Sequence, residues 1–401
     1  MTRICLIGVS GFAGTHYHEL TRHHASGVCQ LVAATVINQD QEVDRCAHLT
    51  ALGCRLHTDF QEMLNTWRGK AEVCVIPTGI HWHAPMAIAA LEAGMDVLLE
   101  KPAAAVLADI RRMQETEVRT GRRVIMGFQS MYAAETLVMK RAALDGTLGP
   151  IREIVSWVKW PRKADYYARN AWAGRLQIKG TPVLDSPINN AVAHQLHMIL
   201  FLAGAREDES ATIAALRAEL YRAKPIDSCD TAALAITTAQ GIPCRFFATH
   251  ACAEIVDPVI EIRGERGTLR WNYHYALELE RLDGRRESWA VDSHCRDRMH
   301  AAVREAAHGG NPFLSRLTHA WAHTQAVNLA HAAGPITTIP AAHLNPDGSA
   351  TGLDAAITTA VATPGALLHE QGLAWSHAAY ERSALPEPTI SEMIPSLRRL
   401  S

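Results

Sequence analysis

A chain of 401 residues, 48% of them hydrophobic, can bury a substantial core and is too long for one typical domain. A net charge of −2 with both signs mixed along the chain leaves no basic stripe for nucleic acid and no polybasic segment for an anionic membrane, and no apolar run approaches the roughly 18 residues that cross a bilayer. The nine cysteines include no Cys-x-x-Cys pair and read as reduced core thiols, so no structural metal is expected; a strand pattern that begins by Ile4 leaves no room for a signal peptide, and the cytoplasm is the expected location.

The first predicted strand, Arg3 to Ile7, runs into Gly8-Val9-Ser10-Gly11-Phe12-Ala13-Gly14 and then a helix-compatible stretch, Thr15 to His24. Glycines let such a turn be tight and let the backbone approach a pyrophosphate, whose charge then sits at the helix N-terminus. Gly8, Ser10, Gly11, Phe12, Ala13 and Gly14 are therefore candidate dinucleotide contacts. A second strand, Gln30 to Ile37, ends at Asn38 without the acid that usually holds a ribose 2′-hydroxyl, and no arginine follows directly to attract a 2′-phosphate. Asn38 is the candidate there; the cofactor is NAD or NADP, with NAD favoured.

The alternation continues with Asp59 as the N-cap of a short helix, a strand at Glu72 to Ile76, a helix at Ala84 to Ala93, and the strand Val97 to Leu99 that ends in Glu100-Lys101-Pro102. Strands alternating with helices predict a doubly wound parallel sheet, whose ligand crevice lies outside the carboxyl ends of the strands. Lys101 falls at such an end, where an ammonium can polarise a hydroxyl or carbonyl. Thr78 and His83 come from the loop after the preceding strand, and Gln129 follows a last strand at Arg123 to Gly127, beyond a helix at Val106 to Thr120; all three are candidates for the same crevice.

Gly8/Gly11/Gly14, Thr78 with His83, the Ala90 to Gly94 helix end, Glu100-Lys101-Pro102 and Met126-Gly127-Phe128, in this order and spacing, resemble the Gfo/Idh/MocA family of glucose-fructose oxidoreductase and inositol dehydrogenase. The likeness is tight over the N-terminal half and loose beyond it. It implies a nicotinamide-dependent oxidoreductase in which Glu100 belongs to the cofactor motif and Lys101 lies near the nicotinamide and assists proton transfer. Two features depart from the family: its Thr-Pro-Asn turn is Thr78-Gly79-Ile80 here, and the acid after the second strand is missing.

After Gly149-Pro150 a strand is predicted at Ile151 to Trp160, followed by a loop, Arg162 to Gly174, rich in aromatics and arginines. Tyr167, Arg169 and Trp172 suit either a polyhydroxylated ligand or an oligomer contact. The stretch from Leu184 to Leu202 reads as one helix stopped by Gly204, with Asn190, His194 and His197 on one face. The resemblance matches His194 to the family's catalytic histidine, while Asn190 and His197 replace its acids. An imidazole has the right pKa to take a hydroxyl proton as hydride leaves the same carbon. Without an acidic neighbour, either Lys101 carries more of the proton chemistry or the substrate supplies the missing charge. The His194-x-x-His197 pair has no third metal ligand at a recognisable spacing, and no metal is assigned.

Runs at Thr212 to Tyr221, Thr231 to Thr238, Cys244 to His250, Val259 to Ile262, Gly267 to Trp271 and Ala276 to Glu280, separated by turn signals, predict an antiparallel sheet and an α+β domain. A large open sheet face is commonly buried by a partner, so a homodimer or homotetramer is expected. Helices are predicted at Arg296 to His308 and Phe313 to Ala333, and the tail after Pro340 as a peripheral wrap. The expected organisation is a Rossmann dinucleotide-binding domain at 1–130 and an α+β substrate-binding and oligomerisation domain at 131–401. The expected reaction moves hydride between a nicotinamide and a secondary hydroxyl or ketone of a sugar, inositol or sugar derivative, with the substrate between Lys101 and the Asn190/His194/His197 face. An NAD-dependent glycosidase working by transient oxidation and a non-catalytic dinucleotide-binding sensor are the alternatives.

Overall fold

A computed structural model describes the whole chain except Tyr275, Ser396 and 398–401. The chain forms two compact units, Met1–Tyr132 with His294–Leu317 and Ala133–Ser293 with Thr318–Ser401.

The first unit alternates strictly: β1 (Thr2–Ile7), α1 (Ala13–Ala25), β2 (Cys29–Thr35), α2 (Val43–Ala51), β3 (Arg55–His57), α3 (Phe60–Trp67), β4 (Val73–Ile76), α4 (Ile80–Glu92), β5 (Asp96–Leu99), α5 (Leu107–Thr120) and β6 (Val124–Met126). The strands are parallel in the order β3-β2-β1-β4-β5-β6, which is the Rossmann arrangement. Every residue of β4 and β5 is buried, as expected where helices cover both faces of a parallel sheet. Asp59 caps α3 as predicted, its carboxylate accepting the Glu62 N–H at 2.8 Å. The order reverses between β1 and β4, and there the carboxyl strand ends open a crevice.

The second unit begins with α6 (Ala134–Leu144), β7 (Ile151–Lys159), α7 (Ala164–Ala168), the hairpin β8 (Gln177–Ile178) and β9 (Thr181–Pro182), a π-helical turn at Pro187–Ala191 and α8 (Ala193–Leu202). Seven strands follow: β10 (Ile213–Arg222), β11 (Thr231–Thr238), β12 (Pro243–Thr249), β13 (Val256–Gly264), β14 (Gly267–Asn272), β15 (Ala276–Arg281) and β16 (Arg286–Ala290). The remainder holds α9 (Cys295–Ala307), α10 (Leu317–Ala333), β17 (Thr337–Thr338), α11 (Leu353–Ala362) and β18 (Tyr380–Ser383). The large sheet runs β16-β15-β14-β13-β7-β12-β11-β10-β17, with β18 against β10. It is mostly antiparallel, but β7 pairs with β12, and β10 with β17, in parallel.

Four expectations change. The segment 294–317 packs with the first unit, not the second: Arg123 donates to the Ala306 carbonyl, Thr2 bonds His308, and Ser315 and Arg316 cover the edge of β6, where Met126 N–H donates to Ser315. Because residues 315 and 316 are extended against β6, the predicted helix from Phe313 starts only at Leu317. The stretch Leu184 to Leu202 is two pieces, a π-turn and α8, broken at Val192. The tail is no peripheral wrap: Leu353, Ile357, Ala360, Leu367, Leu368 and Trp375 form one buried cluster with Val155, Tyr221, Ala233 and Phe247 of the sheet. That part of the sheet face is thus covered by the chain itself, and the buried Arg245 on it reaches the Ala360 carbonyl near the C-terminus of α11 while pairing with Glu153. All nine cysteines are free thiols. Among the described residues no helix is long and apolar enough to cross a membrane.

Candidate active site

In the turn between β1 and α1, Gly8 (φ +91°) and Gly11 (φ +56°) hold left-handed conformations, and open space surrounds the place where a Gly11 Cβ would stand. This brings the start of α1, whose first turn carries no acid, to the carboxyl end of β1, a cradle fitted to a pyrophosphate. Past the end of β2, Asn38 exchanges hydrogen bonds with Ser10 at 3.2 and 3.4 Å. Arg45 of α2, which the sequence reading did not single out, lies beside Gly14 and donates to the Val9 carbonyl at 2.7 Å and to Glu42 at 2.9 Å.

Lys101 follows β5, half-buried, and its Nζ stands 6.0 Å from the centre of the Phe12 ring, so the lysine and the glycine turn meet. The buried Glu100 turns inward. Its Oε2 accepts the Lys101 N–H at 3.0 Å, and its Oε1 lies 2.9 Å from Nε2 of the buried His16 on α1. Gly127 makes room for this carboxylate, since a Cβ there would stand 2.9 Å from Glu100 Oε1. His83, 1% exposed, has Nδ1 2.7 Å from the Pro102 carbonyl and Nε2 3.0 Å from the Thr78 carbonyl. Burial holds its pKa below the usual histidine value against the pull of those two carbonyls. Thr78 rests on Met86 through its hydroxyl, and Gln129 opens a short 3-10 turn after β6.

Two of the predicted cofactor residues have their side chains engaged within the protein: His83 places both ring nitrogens on the loops on either side of it, and the Glu100 carboxylate braces the lysine turn from within. His16 was missed because its partner lies 84 residues away and no local pattern links them.

The second unit gathers another cluster. At the π-turn, Val192 N–H donates to the Pro187 carbonyl at 2.9 Å, and the Asn190 amide donates to buried Asp185 at 2.8 Å. Asp185 also accepts the Gly174 N–H, which ties the turn to the aromatic loop. In that loop Tyr167 O–H lies 3.1 Å from His250 Nδ1, and the Arg169 guanidinium lies 3.6 Å over the Tyr166 ring and 5.5 Å from that of Trp172. Asn190 and His194 are half-buried, whereas His197 is 1% exposed; burial and the nearby His323, His319 and His194 imidazoles hold His197 far below the ordinary histidine pKa. The break at Val192 sets Asn190 apart from the helix that carries the two histidines, and His197 is buried within the second unit. Gly204 is likewise not a left-handed cap; Lys140 Nζ donates instead to the carbonyls of Phe201 and Gly204 at the end of α8.

The fold and the glycine turn define a dinucleotide-binding Rossmann protein with a second α+β unit. Comparison with known proteins narrows the class. Residues 2–128 match the family profile described as oxidoreductase family, NAD-binding Rossmann fold, and residues 136–270 match the GFO/IDH/MocA C-terminal domain. The chain belongs to the Gfo/Idh/MocA oxidoreductase family. It is 28% identical over 150 residues to an inositol 2-dehydrogenase/D-chiro-inositol 3-dehydrogenase of Lactiplantibacillus plantarum, covering 37% of this chain and 41% of that protein. It is 24% identical over 183 residues to glycosyl hydrolase family 109 protein 1 of Shewanella sp. MR-4, covering 43% and 39%. The matched stretch spans about two-fifths of each relative. The fold is shared with the WlbA dehydrogenase of Bordetella pertussis, solved with NADH and UDP-GlcNAcA, at a TM-score of 0.67 and 22% identity over 82% of this chain and 95% of that one.

Proposed function

We propose that this chain is a nicotinamide-dependent oxidoreductase acting on a secondary hydroxyl or ketone of a sugar, inositol or sugar derivative. The observation that carries the reading is the meeting of Lys101 Nζ with the glycine turn through Phe12. Hydride acceptance and return would be the chemistry a nicotinamide supplies when bound; the protein's share is to hold the reactants aligned and to move a proton. Gly8 to Gly14, Asn38, Thr78 and Gln129 are the residues that would hold the dinucleotide. Lys101 orients the reacting hydroxyl and stabilises its oxygen through Nζ, while His194 takes the hydroxyl proton on its imidazole, with Asn190 as a neighbouring hydrogen-bonding group. Tyr167, Arg169 and Trp172 line the side of the second unit that receives the sugar.

NAD is the preferred cofactor in this reading, because the cation beside Gly14, Arg45, is already bound to Glu42 and the Val9 carbonyl. The inositol dehydrogenase relative supports a polyol substrate. The glycosyl hydrolase relative favours one second reading, a glycosidase that oxidises its sugar transiently. Calorimetric titration with NAD⁺ and NADP⁺ separately, then absorbance at the reduced-nicotinamide band across sugars, inositols and sugar acids, tests both. Tight NAD⁺ binding with a substrate-dependent rise in absorbance is expected. Binding with glycoside cleavage and no net reduced cofactor moves the assignment to the glycosidase, and no dinucleotide binding overturns the proposal.

A further inference from the structure

We propose that the substrate carries an anionic group, a carboxylate or a phosphate, and that Arg162 and Arg169 bind it; this rests on the proposed function and names the substrate class of the same site. The two guanidiniums share one aromatic support. Arg169 lies 3.6 Å and Arg162 5.1 Å from the centre of the Tyr166 ring, with Trp172 at 5.5 Å from Arg169 and Trp160 at 5.3 Å from Arg162. A guanidinium laid on a ring keeps its N–H edge free in the plane, the geometry that takes an oxyanion through paired bonds.

Neither arginine has a carboxylate partner among the described residues. Arg162 donates to the Pro161 carbonyl at 3.2 Å and stands beside the Tyr166 hydroxyl, and its Nε is buried with no partner; Arg169 donates to the Tyr166 carbonyl. The surrounding acids are engaged elsewhere. Asp185 accepts from Gly174 and Asn190; Asp230 accepts from Ala223, Lys224 and Thr231; Asp257 accepts from Trp160 Nε1; Asp165 accepts from Tyr166 N–H. A third cation, Lys224, donates to the His250 carbonyl at 3.1 Å. His250, bonded to Tyr167, is held far below the ordinary histidine pKa by burial first and then by Arg162, Lys224 and Arg169.

The cluster is continuous with the π-turn. Gly174 N–H donates to Asp185, a Cβ on Gly174 would stand 3.0 Å from the Tyr167 ring, and Asp185 holds the Asn190 amide just before His194. Asn190 stands where the resemblance places an acid, and neither arginine forms an ion pair with a carboxylate among the described residues. An anionic sugar gives the guanidiniums the direct oxyanion partner they do not have within the chain; a neutral one does not.

The test uses matched sugars that differ only in charge, such as glucose, glucuronate and glucose 6-phosphate, and the corresponding galactose set, with the full chain saturated in cofactor. Turnover is followed at the reduced-nicotinamide band, and binding without turnover by quenching of tryptophan fluorescence. An anionic member is expected to exceed its neutral partner in kcat/KM by about 10- to 100-fold, mainly through KM and less so at high salt. Arg162→Gln and Arg169→Gln, checked for unchanged melting temperature, are expected to lose more on the anion than on the neutral sugar by about 10-fold each. Preference for the carboxylate or for the phosphate identifies the source of the charge, and either supports the site. Neutral sugars turned over as well as or better than both anions overturn it while leaving the dehydrogenase intact, as do equal losses on charged and neutral substrates. Anion-specific quenching that both arginine variants abolish, with no reduction of any sugar, keeps the anion site and overturns the dehydrogenase. Absence of both turnover and anion-specific quenching overturns the site.

Discussion

The lysine turn of the first unit and the histidine turn of the second carry the two proposed proton-handling groups, yet they are built on opposite principles. Around Lys101 the scaffold is backbone held by buried side chains: Glu100 fastened to His16, His83 bridging two carbonyls, and Gly127 vacating the space for a carboxylate. Around His194 the backbone itself departs from regular helix, and the neighbouring imidazoles His319 and His323 are spent on the carbonyls of Asp208 and Ile188. The difference teaches that the first turn fixes a position, whereas the second sets His194 beside a buried imidazole, His197, whose pKa is held far below the ordinary histidine value.

The comparison is broken most directly by removing the lysine. Lys101→Ala is expected to lower kcat by about 10²- to 10⁴-fold, the range for a positioned acid–base group, while calorimetry shows dinucleotide affinity nearly unchanged. A turnover number like that of the wild type would remove the lysine from the reaction. His194→Gln is expected to cost less, about 10²-fold, and to change the pH profile of kcat/KM; a loss of rate with the wild-type pH profile would make His194 a structural residue. Gly127→Ala sharpens the claim about the scaffold, because its methyl overlaps the Glu100 carboxylate. A destabilisation of about 1–3 kcal/mol by denaturant unfolding is expected, and a melting curve identical to wild type would show that the carboxylate has room to move.

A last effect, absent at neutral pH and growing only in acid, concerns one buried imidazole of the second unit. His331 on α10 is buried with neither ring nitrogen hydrogen-bonded, and burial lowers its pKa to about 4. The unfolded chain takes up this proton first, near pH 6.5, so the contribution to stability is full above that value and is lost as pH falls from 6.5 towards 4, by up to about 3 kcal/mol. His331→Leu is expected to flatten the fall of melting temperature over that window; an unchanged slope would place the acid sensitivity elsewhere.

The parts of this architecture legible in the sequence are those whose cause is short-range. Gly8 and Gly11 announce a tight turn because few other residues accept their backbone angles, the alternation of short apolar runs with helical stretches gives a parallel sheet, and Glu100-Lys101-Pro102 ends a strand within three residues. Illegible were features fixed by residues far apart: His16 against Glu100, Arg45 against Val9, and the tail helix against Phe247. The helical reading of Leu184 to Leu202 failed for a related reason. Apolar periodicity continues across Val192, but the Asp185–Asn190 bond and the Pro187–Val192 hydrogen bond favour a wider turn that periodicity does not encode.

The return of residues 294–317 to the first unit has a consequence for synthesis on the ribosome. The Rossmann strands are made before the second unit, but their β6 edge waits for Ser315 and Arg316, and the second sheet waits longer, until β18 reaches β10. Each unit is thus closed by a segment made after most of the other, so the nascent chain carries an unprotected strand edge for nearly two hundred residues of elongation, about 10–40 seconds at ordinary translation rates. Chaperone dependence of this chain's folding is expected to be concentrated in that interval.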